Sequence, residues 1–166
     1  MTTETEQAPA SIADTPVRRV AAPACVVLLS LALMFPAAAG ASTATLKKTL
    51  GTWSHRLGVD ARGISLSASR RHPRRMTRRA KHFRLDALRA RRALAAQRPS
   101  TPRGWRARRL GLAAFRNYAA VGRQWTLSGT ARLHRKKAVA DRHARLAKRL
   151  TKKGNRLLVA AGRLLR

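Results

Sequence analysis

The segment Arg70-Arg71-His72-Pro73-Arg74-Arg75-Met76-Thr77-Arg78-Arg79 carries six guanidinium groups within ten residues. Guanidinium binds phosphate oxygens, bidentately where its geometry is held and as a plain charge where it is not. Two smaller clusters, Arg106/Arg108/Arg109 and Arg135/Lys136/Lys137, offer the same chemistry. Arg70, Arg71, Arg74, Arg75, Arg78, Arg79, Arg106, Arg108, Arg109, Arg135, Lys136 and Lys137 are therefore the candidate polyanion-binding residues. Because Pro73 interrupts the densest run and no acid lies nearby, that run is expected to be unfolded alone, either as an arm that orders against phosphates or as a solvated basic linker.

The groups that build catalytic and metal sites are scarce. The only cysteine is Cys25, and the five histidines (His55, His72, His82, His134, His143) fall in no HxxxH or HExxH arrangement. They sit among arginines, which disfavour a metal cation, so no metal and no cofactor are expected. After residue 41 there are three acids, Asp60, Asp86 and Asp141, too widely spaced to read as a carboxylate pair. Neither a Gly-rich phosphate loop nor a GxSxG elbow is present, so no catalytic residue is assigned and the chain reads as non-enzymatic.

The chain has 37 Lys+Arg, 6 Asp+Glu and a formal charge of +31 over 166 residues. Residues 42–166 hold all but two of the basic side chains and carry +32. Large aliphatics and Phe make up 24 of those 125 residues, just under the level of about 20% at which a strongly charged chain is expected to be disordered. With 29 Arg and 32 Ala, the composition also fits a weakly constrained reading frame of GC-rich DNA. The ordered features below argue against that.

Arg18-Arg19 precede an uncharged run from Val20 to Ala39 that is strongly apolar from Val26 to Phe35. Pro36 and the small-residue tract Ala37 to Ala41 follow. A positive pair, an apolar stretch and small residues form the three-part grammar of a secretory signal, with cleavage after Ala39 or Ala41. Twenty uncharged residues also match a single membrane span, and the basic flank at Lys47, Lys48 and Arg56 would then hold the body inside. Residues 1–41 are thus a targeting segment, signal peptide or anchor, and the protein is expected to be membrane-associated or secreted rather than cytoplasmic.

The remainder divides into a basic, partly disordered region with short helices (42–101) and a basic amphipathic helical region (102–166). Leu46, Leu50, Trp53 and Leu57 stripe a first helix that Ser42 or Thr43 can cap and Gly58 can stop. Ile64 to Ser69 alternates like a strand with nothing to pair with, and reads as an extended linker. Phe83, Ala87, Ala90 and Leu94 stripe a second helix, with Leu85 and Leu88 pointing elsewhere. A third helix starts at Thr101-Pro102 and carries Ala107, Leu110, Ala114, Tyr118, Val121 and Trp125 on one arc, opposite Arg109, Arg116 and Arg123. It is the expected core element. A turn at Thr126–Gly129 leads to a last helical stretch with Val139, His143, Leu146, Leu150, Lys153 and Leu157 along one seam, interrupted near Lys153-Gly154-Asn155.

The expected fold is therefore all-α, with loosely packed amphipathic basic helices after an apolar N-terminal segment. The expected function is a non-enzymatic, exported or anchored polycation that binds anionic lipid or envelope polymers through phosphate contacts. The alternative is a sequence-independent binder of DNA or RNA phosphates with its body on the cytoplasmic side. No small-molecule substrate is evident.

Overall fold

A computed structural model describes residues 41–166, which form four helices: α1 (Ala41–Ser69), α2 (Pro73–Ala95), α3 (Pro102–Leu133) and α4 (Lys137–Leu164). There is no strand among the described residues, as the all-α reading expects. The targeting segment, including Ala39, lies outside the described residues apart from Ala41, which is the first residue of α1.

The helices run antiparallel in chain order. Arg56 meets Asp86 and Asp60 meets His82 between α1 and α2. Leu94 reaches Gly111 at one end of the α2–α3 pair, while Thr77 reaches Gly129 at the other. Tyr118 bonds Asn155, and Ser128 bonds the Ala140 carbonyl, between α3 and α4. Each helix packs mainly on its sequence neighbour, and α1 touches α3 only slightly, so the four make an open array with α3 at its centre of packing. One end carries the two short turns, 70–72 and 134–136. The other carries the 96–101 loop and both chain ends of the array.

A chain poor in large aliphatics builds this core from small residues. Nine of the twenty buried apolar side chains among the described residues are alanine. Backbones then approach closely, and dispersion contacts between them replace the contribution of large side chains. The bulky centre is Phe115, Tyr118, Phe83, Leu46, Leu94 and Met76, all nearly or fully buried. Phe83 meets Tyr118 edge-on at 6.2 Å between ring centroids, and Phe115 lies 6.3 Å from the same ring.

The α2 stripe is buried as the spacing predicts, as are Ala107, Ala114, Tyr118 and Val121 of the α3 stripe, with Leu110 and Trp125 half-buried; Leu85 stands exposed. Thr101 Oγ1 accepts a hydrogen bond from Gly104 N–H at 3.0 Å, so the cap at the start of α3 is also as read.

Five expectations are corrected. Gly58 does not stop α1, and Ile64 to Ser69 is not an extended linker. Both lie inside one 29-residue helix in which Ile64 and Ser67 are buried and Ser67 Oγ donates to the Gly63 carbonyl. The arginine run is not an unfolded arm, because Pro73 occupies the first position of α2, where its missing N–H costs nothing, and Arg74 to Arg79 ride on that helix. Thr126–Gly129 is not a turn. Gly129 is the crossing point where α2 rests on α3, and a Cβ added there would meet Thr77 Oγ1 and Met76 Cε. Likewise Gly154 does not break α4, since the Tyr118 ring lies against it and a Cβ would come within 2.8 Å of the ring edge.

The α4 seam is also displaced. The buried positions are Ala140, Ala147, Gly154, Ala161 and Leu165, one residue on from the apolar stripe. Val139 and Leu146 are consequently exposed, and Leu150 and Leu157 are half-buried. Small residues win the inner face because they allow the shorter interhelix distance to α3.

Candidate functional site

The basic clusters singled out in the sequence divide between the two ends of the array. Arg70 and Arg71 form the α1–α2 turn. Arg74, Arg75, Arg78 and Arg79 follow on the first turns of α2, and Arg135, Lys136 and Lys137 form the α3–α4 turn. All nine are exposed. The fold thus brings together two clusters some sixty residues apart in sequence. Arg106, Arg108 and Arg109 lie on the first turns of α3, at the opposite end, and do not join them.

The two turns share one construction. At the first, His72 N–H donates to Ser67 O at 2.9 Å and Arg71 N–H to Ala68 O at 3.2 Å. At the second, Lys136 N–H donates to Ala131 O at 2.8 Å and Arg135 N–H to Arg132 O at 3.1 Å. This is the Schellman pattern, which places one residue in the left-handed region and satisfies the last carbonyls of a helix. Glycine usually takes that position. Here it is Arg71 (φ 54°) and Arg135 (φ 57°), the two non-glycine residues with positive φ among the described residues. A new helix starts at once after each, and neither α2 nor α4 has a side-chain cap or an acid in its first turn. The positive ends of these two helix dipoles thus receive no side-chain compensation from their own first turns and lie beside the closed carboxyl ends of α1 and α3.

Between the turns lies an open cavity of about 250 Å³. Its cationic lining is Arg71 from the first turn, Arg132 from the end of α3, and Arg135 and Lys137 from the α3–α4 connection. His72 adds a fifth titratable group, and Ser67, Ala68, Pro73 and Met76 complete the wall. No carboxylate lines it. Arg132 is shared, since its Nη2 also lies 3.2 Å from Asp141 Oδ1. This cavity was not legible in the sequence, and Arg132 stands outside every basic cluster singled out there. The one available signal was the similarity of the two turns, each a basic residue pair or triplet between helical stripes.

At the opposite end the same residue type does structural work. Arg108 Nε donates to Leu94 O at 3.2 Å, and its Nη2 donates to Ala95 O. The guanidinium thereby caps the carboxyl end of α2, where the dipole is negative. It also lies 5.1 Å from the centre of the Trp105 ring.

All three acids among the described residues are engaged internally. Asp86 is fully buried, with Arg56 Nε 2.9 Å from one oxygen and Arg89 Nη1 3.1 Å from the other. Asp60 Oδ2 lies 3.0 Å from His82 Nδ1. Asp60, His82 and Asp86 hold potential ligand atoms within 4.8 Å of one another, a grouping that the histidine spacing did not reveal, although His82 and Asp86 share a helix face at i and i+4. The two arginines on Asp86 meet its charge, so the cluster reads as an ion-pair network that ties α1 to α2. Burial pushes the Tyr118 hydroxyl above its ordinary titration range, and that hydroxyl donates to Asn155 Oδ1 at 2.7 Å.

No helix among the described residues is long and apolar enough to cross a membrane. Compared with protein families, with curated proteins and with solved structures, the chain matches none.

Proposed function

We propose that this protein is a non-enzymatic, membrane-targeted polycation that binds anionic lipid or envelope polymers through their phosphates. The observation that carries the reading is the internal use of every side-chain carboxylate in the array. Asp60, Asp86 and Asp141 are each paired already, so almost the whole charge of residues 42–166 must find its counter-charge in a partner. Targeting rests on the Arg18-Arg19, Val20–Phe35 and Ala37–Ala41 grammar. Affinity is expected to come from neutralised phosphates and released counterions, with little preference for any one sequence or polymer.

The exposed arginines on every helix also suit a second reading, the sequence-independent binding of DNA or RNA by a body on the cytoplasmic side. One experiment separates the two. The N-terminus of the protein recovered from cells is determined in membrane, envelope and soluble fractions, alongside a chain lacking residues 1–41. Processing after Ala39 or Ala41, with loss of membrane or envelope association on deletion, supports the first reading. An intact chain that fractionates with nucleic acid, unchanged by the deletion, overturns it in favour of the second.

A further inference from the structure

We propose that the cavity between the two turns is a binding site for an anion of one or two phosphate groups bearing at least two negative charges, a phosphate monoester or a pyrophosphate. The inference rests on the polyanion reading above and gives it a defined locus. Four cationic side chains from three elements, Arg71, Arg132, Arg135 and Lys137, line one space of about 250 Å³ that no carboxylate enters. A space of that size falls below the range of drug-sized ligands, about 300–1,000 Å³, and suits one or two phosphates. It is open to solvent, so the remainder of a larger molecule can stay outside while the phosphate enters.

The concentration of charge in the cavity selects the class of anion. A phosphodiester carries one negative charge and leaves most of the lining uncompensated. A monoester carries close to two and offers three oxygens, enough for Arg71, Arg135 and Lys137 together. Those three side chains have no ion pair among the described residues, in contrast to Arg132, whose guanidinium is already held by Asp141. Part of the Arg132 charge is therefore met within the protein, and Arg71, Arg135 and Lys137 carry the rest of the site.

The backbone contributes as well. The two Schellman turns force Arg71 and Arg135 into the left-handed region, which glycine or asparagine would adopt at less cost. The left-handed backbone is thus a cost of arginine at these two positions, and arginine occurs at both. The uncapped starts of α2 and α4 lie at the same end, beside the carboxyl ends of α1 and α3 that the two turns close.

The test uses the full chain. Sodium pyrophosphate is titrated calorimetrically at about 0.15 M salt, where exposed charges are strongly screened. The Arg71→Asn/Arg135→Asn variant is compared with Arg106→Asn/Arg109→Asn, which removes the same charge at the opposite end. Asparagine tolerates the left-handed conformation, so the turns are retained. The expected result is one pyrophosphate per chain, bound about tenfold or more weakly by the turn-end variant and within about threefold of wild type by the other. Lys137→Gln, a single change outside the strained positions, is expected to weaken binding in the same direction and serves if the double variant does not fold.

Equal losses at both ends, or wild-type binding no tighter for pyrophosphate than for sulfate, would overturn the site. Vesicles identify the source of the phosphate. Preference for phosphatidic acid over phosphatidylglycerol, lost in the turn-end variant, assigns the site to a lipid monoester, whereas equal vesicle binding beside an intact pyrophosphate site assigns it to a soluble one. Failure of the site with salt-sensitive polymer binding retained refutes this inference alone. Pyrophosphate binding with no affinity for vesicles or polymers refutes the broader function and keeps the site.

Discussion

The two ends of the helical array are built from the same residue type and use it in opposite ways. At the loop end Arg108 faces the carboxyl terminus of α2, where carbonyls point outward and a cation is stabilising. At the turn end Arg71 and Arg135 sit in the Schellman turns that close the carboxyl ends of α1 and α3, and Lys137 opens α4; none of these three side chains bonds to or pairs with another group among the described residues. Arg108 contributes to the fold through carbonyls that its guanidinium reaches. Arg71 and Arg135 instead cost the fold a left-handed backbone and give it no side-chain bond among the described residues. What a guanidinium reaches, and not the density of arginines in sequence, separates structure from function here.

The strongest way to break this comparison is at Arg108. Arg108→Ala removes a charge-assisted bond to Leu94 O and another to Ala95 O and is expected to destabilise the protein by about 2 kcal/mol, read as a lower urea midpoint. Polyanion affinity is expected to hold. A variant of unchanged stability but weaker binding would place Arg108 among the ligand contacts and abolish the distinction.

The converse change sits at the turns. Arg71→Gly and Arg135→Gly place the residue that the left-handed position prefers and are expected to stabilise the protein by about 1 kcal/mol each at low salt, read as a higher urea midpoint, while lowering affinity for pyrophosphate. Opposite signs for stability and binding are the signature of a functional arginine. If both fall together, the turn arginines hold the fold in some way that their exposure hides.

A finer distinction comes from salt. With duplex DNA as the probe polyanion, log K falls with log salt at about −0.9 per phosphate contacted. Replacing Arg74, Arg75, Arg78 and Arg79 with Gln is expected to flatten that slope by about 3 to 4 units at most. Lys at the same positions is expected to retain most of the slope, because these exposed side chains act as plain charges. Four Gln replacements at Arg98, Arg103, Arg106 and Arg109 are expected to give a smaller change. Identical slopes from both sets would mean that the whole surface binds uniformly.

Much of the fold was legible because α2 and α3 carry ordinary apolar stripes. The errors share one cause. Gly129 and Gly154 are turn formers by local propensity, yet in this array they are residues at which helices touch, and Ser67 is buried inside α1 with its hydroxyl bonded to the Gly63 carbonyl. A chain with few large aliphatics must bring backbones close, and only small residues permit that, so tertiary packing overrides the local signal. The same substitution of small for large displaced the α4 seam from Leu146 to Ala147. The basic clusters were legible as composition. Their division between two ends was not, because it depends on helix lengths that the misread glycines had shortened. Asp86 shows the limit most clearly, since nothing near it in sequence announces that Arg56, thirty residues away, will reach it.

The smallest expected effect belongs to the middle of the array and provides a reference that neither end touches. Tyr118 joins three helices: its ring lies against Gly154 of α4 and edge-on to Phe83 of α2, and its hydroxyl donates to Asn155. Burial raises its titration above the ordinary value of 10.0, so the folded protein keeps a proton that the unfolded chain releases in alkali. Wherever the folded state binds more protons, stability falls as pH rises. The contribution of Tyr118 is therefore complete below pH about 10 and declines above it, by about 1 kcal/mol near pH 11. Tyr118→Phe lacks this titration and also lacks the bond to Asn155, which costs it about 1 kcal/mol at neutral pH. The two proteins are expected to differ by that amount at pH 7 and to converge near pH 11, since lysine titration affects both alike and cancels from the difference. Urea unfolding at the two pH values measures it. A gap that stays constant with pH would mean that the hydroxyl reaches water in the folded protein and that the α3–α4 contact is looser than the 2.7 Å bond implies.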